Sequence, residues 1–207
     1  MAYVSTAVIS REDAASRSGT YRLLARLWLR EVDLDLLQEL RQAPLRDSFV
    51  AAGGVLPEYE RDASDSKTTI ENLAIAYCRL FVGPANHLPP FQSVWQAGQF
   101  QGTATASMRE MIDVVGYDVV PLPGGVMLDH LGVQLDVMGN LLEQLSSWPA
   151  EAGSCDQVWE LADSFYAKHL LWPADLLATA ARQAEDDFYR SFIMLTREFL
   201  KSEMQLR

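Results

Sequence analysis

The residues of this chain that could do chemistry are few and widely separated. Its histidines are His87, His130 and His169, and its two cysteines, Cys78 and Cys155, form no CxxC pair. The sequence contains no HExxH zinc motif, GxxxxGK[ST] phosphate loop, GxGxxG turn or GxSxG nucleophile elbow. We therefore expect a protein that is not an enzyme, that has no catalytic or metal-binding residues, and whose cysteines are reduced.

One constellation remains, the adjacent pair Asp129-His130 at the start of a predicted helix. Neighbouring helix positions point about 100° apart, so the two side chains cannot hold one metal ion together. Two interpretations stay open. Asp129 could interact with the positive helix end beside a structural histidine, or the pair could line a groove in which Asp129 accepts hydrogen bonds from a guanidinium group.

The stretch Tyr77–Trp95, YCRLFVGPANHLPPFQSVW, is a second candidate for binding. It begins as the end of an amphipathic helix, stops at Gly83-Pro84, and restarts at Ser93 after a stiff Pro89-Pro90 pair. Its aromatic residues are Tyr77, Phe81, Phe91 and Trp95. We expect the helical half to belong mainly to the core and the half from Gly83 onward to contact a partner.

Composition and charge exclude several classes of partner. The chain has 49% hydrophobic and 22% charged residues, and its net charge of −11 argues against nucleic acid. No apolar run approaches the roughly 20 residues that span a membrane, and no secretory signal is visible, so we expect a cytoplasmic location. From Glu110 to Asp163 there are acidic residues but no Lys or Arg, which favours either a solvated face or a docking surface for a basic partner.

Helical patterns dominate the chain. Asp33 predicts the N-cap of a short helix, Thr68-x-x-Glu71 a capping box, and Gly116 a C-terminal glycine. A short strand at Asp118–Val120 is compatible with the sequence but has no evident pairing partner. The pattern predicts an all-α fold, a single globular helical bundle of roughly eight to eleven helices, with residues 1–207 forming one domain.

The best-formed helical pattern is a leucine stripe from Leu128 to Ser146. Gly132 and Gly139 lie beside this stripe, and each glycine inside a helix costs roughly 1 kcal/mol relative to alanine. That cost indicates a close approach of a neighbouring helix, so we expect this helix to be central.

These residues resemble the TorD/DmsD family of cytoplasmic molybdoenzyme chaperones, also called redox-enzyme maturation proteins. The first matching block is similar to the pattern Y-x-x-L-F-x-G-P…P-P-[WF]-x-S-V-[YW] and contains Tyr77, Leu80, Phe81, Gly83, Pro84, Pro89, Pro90, Phe91, Ser93, Val94 and Trp95. The second is Asp129-His130 with Leu131 and Leu135, and the third is Phe165, His169, Leu170 and Trp172. The chain lacks the Glu and Pro that usually precede the family's Asp-His pair.

The resemblance implies a TorD-like chaperone and not an enzyme. Such a chaperone binds the twin-arginine signal peptide, or the apo form, of a molybdenum-containing oxidoreductase and holds it until cofactor insertion and export. Export or cofactor-biosynthesis proteins are further implied partners. No cofactor is expected, although the resemblance also admits weak binding of a guanine nucleotide.

A twin-arginine leader has a cationic start and an apolar middle, so its receptor should offer an apolar groove with acidic residues at one end. The expected peptide-binding residues are Tyr77, Phe81, Gly83, Pro84, Pro90, Phe91, Ser93, Trp95, Asp129, His130 and Asp136. The aromatic residues would contact the apolar middle, while Asp129 and Asp136 would face the arginines. Phe165, His169 and Trp172 are expected to be structural.

Two alternatives remain at this point. The same fold could recognise the mature part of a reductase subunit without reading its leader. The proline-rich loop could instead be the hinge of a dimerisation protein, because exchange of elements through such loops is physically plausible.

Overall fold

In the computed structural model, the described residues are 11–57, 63–117, 127–149 and 153–206, and they are helical with no β-strand. The predicted all-α class is confirmed, and Asp118–Val120, where the sequence was compatible with a short strand, lies outside the described residues. The elements are α1 (Arg11–Leu29), α2 (Leu34–Leu40), α3 (Leu45–Ala51), α4 (Ala63–Tyr77), a π-helical turn (Cys78–Val82), α5 (Gln92–Ala97), α6 (Thr103–Val115), α7 (Leu131–Ser146), α8 (Asp156–His169), α9 (Ala174–Gln183) and α10 (Asp187–Gln205). Every described helix is too short or too polar to span a lipid bilayer.

Several helix ends follow the predicted cap chemistry. The Asp33 carboxylate accepts from the N–H of Leu36 at the start of α2, and Gly116 ends α6 in a left-handed conformation with φ of 65°. The start predicted at Thr68 is wrong, because α4 already begins at Ala63. Residues 63–67 contain no glycine or proline, so nothing stops the helix from extending backward.

The chain forms two compact units. Unit 1 contains Met1–Leu29, Phe91–Trp172 and Glu203–Arg207, and unit 2 contains Arg30–Pro90 and Pro173–Ser202. One boundary falls between Pro90 and Phe91, which divides the proline-rich stretch identified in the sequence. One domain over residues 1–207 therefore stays a prediction.

In unit 1, α1 packs along α7 at the two glycines that the sequence singled out. A Cβ atom on Gly132 would lie 2.6 Å from Cγ of Leu29 and 3.2 Å from the carbonyl oxygen of Ala25. A Cβ atom on Gly139 would lie 3.0 Å from Cγ of Arg22. The predicted close approach of a neighbouring helix is confirmed, and its partner is α1.

In unit 2, α4 continues into the π-helical turn and stops at Gly83, whose N–H donates to the Cys78 carbonyl. The rings of Tyr77 and Phe81 meet edge to face at 5.3 Å, and the Tyr77 ring also lies 6.1 Å from that of Tyr189. Both Tyr77 and Phe81 are buried. The expectation that this helical half belongs to the core is confirmed.

Candidate functional site

The segment from Phe91 to Trp95 lies directly beside Asp129-His130. Phe91 and His130 form an isolated antiparallel bridge, and the N–H of Gln92 donates to the carbonyl oxygen of Asp129 at 3.0 Å. The rings of Phe91 and His130 also meet edge to face, with centroids 5.1 Å apart. The part of the proline-rich stretch from Phe91 onward therefore adjoins Asp129-His130.

Asp129 is the centre of this junction. Its side chain is fully buried, with 0% exposure. One carboxylate oxygen accepts from the N–H of Ser93 and the other from the hydroxyl of Thr105, both at 2.9 Å. The carboxylate thus ties the start of α5 and the first turn of α6 to the chain two residues before α7, which is a structural role. Its contact with leader arginines stays a prediction.

His130 caps α7 with its imidazole ring. Nδ1 accepts from the N–H of Gly132 at 3.0 Å, which requires a lone pair on that nitrogen and places the ring proton on Nε2. Burial lowers the pKa of His130 to about 3, although the neighbouring Asp129 charge acts in the opposite direction. The ring is therefore neutral at physiological pH, as a capping acceptor has to be.

A buried polar network joins the first and third sequence blocks. His169 contacts Gln92 Oε1 through Nδ1 at 3.0 Å and the Ser107 hydroxyl through Nε2 at 3.1 Å. Gln134 Nε2 donates to Gln92 Oε1 at 2.7 Å, and Trp172 Nε1 donates to Gln134 Oε1 at 2.7 Å. One tautomer satisfies all these contacts, with Nδ1 of His169 donating and Nε2 accepting. The network holds the side chains of His169 and Trp172 in place within unit 1, and the structural role expected for them stays a prediction.

Sequence reasoning missed four residues of this junction: Gln92, Thr105, Ser107 and Gln134. Gln134 carried a signal, because it is a polar residue between Val133 and Leu135 on the leucine-striped helix, and the structure shows that it is fully buried. A buried amide needs partners, which would have indicated a network. Thr105 and Ser107 carried no such signal, since hydroxyl residues in the first turns of a helix are common.

Acidification is expected to destabilise the fold through His130 and His169. Burial is the main cause that lowers the pKa of His169 to about 4; the charge of Lys168 adds to it and that of Asp129 opposes it. With folded pKa values of about 3 and about 4, below an unfolded value of about 6.5, the unfolded chain binds more protons. Their contribution to stability is complete above about pH 6.5 and is lost as the pH falls toward the folded values.

Urea unfolding at a series of pH values measures this effect. Between about pH 7 and pH 5 the midpoint should fall, and the His169→Gln variant should show a shallower fall, because glutamine can pair with both Gln92 and Ser107 without titrating. Equal pH dependence in the variant and the wild type would contradict the assignment to His169.

The accessible side of the junction carries aromatic side chains. Phe91 and Trp95 stand four positions apart at the start of α5, with the N–H of Trp95 donating to the Phe91 carbonyl at 3.3 Å, and both are partly exposed. Phe100, which the sequence analysis did not select, is 58% exposed and meets the Phe91 ring at 5.7 Å. We call Phe91, Trp95 and Phe100 the aromatic patch.

The other predicted binding residues are placed elsewhere or are covered. Tyr77, Phe81, Gly83 and Pro90 are buried in unit 2, where Pro84 is exposed. Ser93 is buried in the junction. Asp136 is half-buried on α7 and accepts a hydrogen bond from the hydroxyl of Tyr117.

The Asp136–Tyr117 contact has an electrostatic consequence. The pKa of Tyr117 is raised, first by burial and then by the hydrogen bond and charge of Asp136. Asp136 thus already has a partner in the fold, and its predicted contact with leader arginines stays a prediction. Among the described residues, no group of three or more metal-ligating side chains occurs that could hold an ion.

Comparisons with known proteins find similarity to redox-enzyme subunits, chaperones and maturation proteins. The profile of a family described as nitrate reductase delta subunit matches residues 35–178. The chain is 24% identical over 183 residues to the chaperone protein YcdY of Escherichia coli K12, covering 87% of this chain and 90% of the relative. The crystal structure of a candidate redox enzyme maturation protein from Archaeoglobus fulgidus aligns with a TM-score of 0.54 at 19% identity, over 89% of this chain and 93% of that one. At that identity the structural match shows the fold alone.

Proposed function

This chain belongs to the nitrate reductase delta subunit family, the TorD-like chaperones of redox-enzyme maturation, and we propose that it binds the twin-arginine leader of a molybdenum-containing oxidoreductase. Members of the family are chaperones and not catalysts, so the chain is not an enzyme. We propose further that it acts in the cytoplasm, holds its client until cofactor insertion and export, and needs no nucleotide or metal for binding.

The aromatic patch is the observation that supports leader binding most directly. Phe100 exposes more than half of its surface, the partly exposed Phe91 ring meets it at 5.7 Å, and Trp95 on α5 is also partly exposed. Exposed aromatic side chains that stand together are typical of surfaces that bind an apolar segment. The apolar middle of a leader is such a segment, and it orders on binding because it is flexible when free.

The junction beneath the patch supports the same proposal. Asp129 accepts hydrogen bonds from the backbone N–H groups of Gln92 and Ser93, and the Gln92 side chain is bound by Gln134 of α7 and His169 of α8. A receptor surface that is rigid before binding loses little conformational entropy when the peptide arrives. We therefore propose that the parts of the family-like sequence blocks that lie in unit 1 form a rigid base that presents aromatic side chains.

The variant Phe100→Ala is expected to weaken leader binding about tenfold without unfolding the protein, because aromatic side chains at the centre of an interface commonly contribute this much. Fluorescence anisotropy with a labelled synthetic leader, two adjacent arginines followed by an apolar segment, measures the affinity. Leu206→Ala is the matched control, since Leu206 is equally exposed at the end of α10. Equal weakening by both variants would contradict a specific role of the patch.

Co-purification with a client distinguishes leader recognition from the alternative. A full-length oxidoreductase should be retained and its leader-deleted form should not. Retention of both forms to the same extent would favour recognition of the mature part of the subunit and would contradict the proposal.

A further inference from the structure

A groove in unit 2 runs along α4 and the π-helical turn. It consists of two cavities of 640 Å³ and 470 Å³ that adjoin, because Asn72, Glu185 and Asp186 line both. One wall of the larger cavity is apolar and includes Ile75, which is half exposed. Each volume lies in the range of about 300 to 1,000 Å³ that is typical of ligand sites, so the pair has room for an extended peptide segment.

The opposite wall is acidic. The connection between α9 and α10 supplies Glu185 and Asp186, and the first residue of α10 supplies Asp187, while the lining of the two cavities contains one basic residue, Arg79. The charge of this lining is therefore three negative against one positive. Such a surface is complementary to a cationic segment and repels an anionic one.

This acidic connection is held rigidly. Arg190 donates to the carbonyl oxygens of Ala184 at 2.7 Å and Glu185 at 3.2 Å, and it also binds the Asp187 carboxylate. Asp186 accepts from the N–H of Tyr189 at 3.1 Å and so caps α10. The backbone that carries the acidic wall is therefore fixed before any ligand binds, which lowers the entropic cost of binding.

A guanidinium group from the protein already lies at the edge of the groove. Arg79 Nη1 is 3.7 Å from Glu185 Oε2, and the two side chains are 73% and 89% exposed. An exposed ion pair at this distance contributes little stability and is easily displaced. The pair shows that a guanidinium group can reach the acidic wall, and that Arg79 would compete with an incoming arginine.

We propose that this groove binds the cationic start of the client's leader, with Glu185 and Asp186 accepting from arginine side chains and the wall at Ile75 contacting the adjacent apolar residue. The proposal rests on the proposed function and assigns the arginines to a surface that the sequence analysis did not select. The occupant follows from the charge of the lining and from the cationic character of the leader.

Binding of synthetic peptides to charge variants of the full chain tests the groove. The probes are a labelled peptide with two adjacent arginines before an apolar segment and its partner with both arginines replaced by glutamine. The double variant Glu185→Gln/Asp186→Asn should bind the arginine peptide about tenfold more weakly at low salt, as one exposed and one partly exposed charge contact contribute together. Asparagine keeps the cap on α10, since it also accepts from a backbone N–H.

Two further variants sharpen the test. Arg79→Gln should bind the arginine peptide about threefold more tightly, because it removes a competing guanidinium group and a repelling charge. Glu71→Gln is the matched control, since Glu71 lies on α4 and forms a similar exposed pair with Lys67 at 3.8 Å. It should leave the affinity unchanged.

The possible outcomes separate this inference from the proposed function. The proposed binding of arginines in the groove is supported if the double variant loses affinity for the arginine peptide at low salt. The same variant should then show no loss of affinity for the glutamine peptide, and no loss at high salt. If the double variant binds the arginine peptide as tightly as the wild type does, the groove is not the site of the arginines, while the proposal of leader binding is unaffected. Failure of the wild-type chain to bind the arginine peptide overturns both.

Discussion

Replacing Glu203 with alanine is expected to lower the free energy of unfolding by about 3 to 5 kcal/mol, the range measured when one partner of a buried ion pair is removed. In unit 1, Arg17 binds both carboxylate oxygens of Glu203, at 2.7 Å and 2.5 Å, and the Tyr21 hydroxyl donates to the same group at 3.0 Å. The two charged side chains are only 10% and 2% exposed. Alanine would leave the guanidinium group buried without its counter-charge. Urea unfolding followed by circular dichroism measures the loss.

Two comparisons identify the cause of this loss. Glu143→Ala breaks the ion pair with Arg22, whose side chains are 57% and 41% exposed, and should cost less than about 1 kcal/mol. The double variant Arg17→Met/Glu203→Leu should recover much of the stability lost in Glu203→Ala, because apolar side chains of similar volume often replace buried pairs without cost. A small loss in Glu203→Ala itself would show that the pair contributes no more than an exposed one.

Local sequence patterns predicted those parts of the structure that depend on neighbouring residues. The helix caps at Asp33 and Gly116 depend on one residue and its own turn, and both are confirmed. The helix approach at Gly132 and Gly139 was also predictable, since an unfavourable residue inside a strong helix indicates a compensating contact. Periodicity and residue chemistry were sufficient for these features.

Features that join distant parts of the chain were beyond sequence reasoning. Arg17 and Glu203 are 186 positions apart, and nothing local indicates that their side chains meet. The exposure of Phe100 depends on how the chain turns before α6. From the sequence, Asp129 near a helix start is as compatible with a solvated carboxylate as with a buried one. Its burial follows from the packing of Ser93 and Thr105, which are distant in sequence, against it.

Variants of Asp129 can distinguish a structural role of its carboxylate from a ligand-binding role. Asp129→Leu is expected to cost about 3 kcal/mol or more, because it leaves the N–H of Ser93 and the hydroxyl of Thr105 buried without an acceptor. Asp129→Asn should cost about 1 kcal/mol, since the amide oxygen can accept from Ser93 while the amide nitrogen donates to the Thr105 hydroxyl, which can rotate. Unfolding of the two variants in urea, compared with wild type, gives both differences.

Leader binding by Asp129→Asn then decides the functional question, because this variant should stay folded. A fully buried carboxylate that already accepts two internal hydrogen bonds is out of reach of a leader guanidinium group in the folded chain, so affinity and its salt dependence should match wild type. The double variant Glu185→Gln/Asp186→Asn should lose affinity in the same assay. If Asp129→Asn instead lost affinity and salt dependence while its unfolding stayed near wild type, the arginines would contact Asp129, and the junction would have to open to admit them.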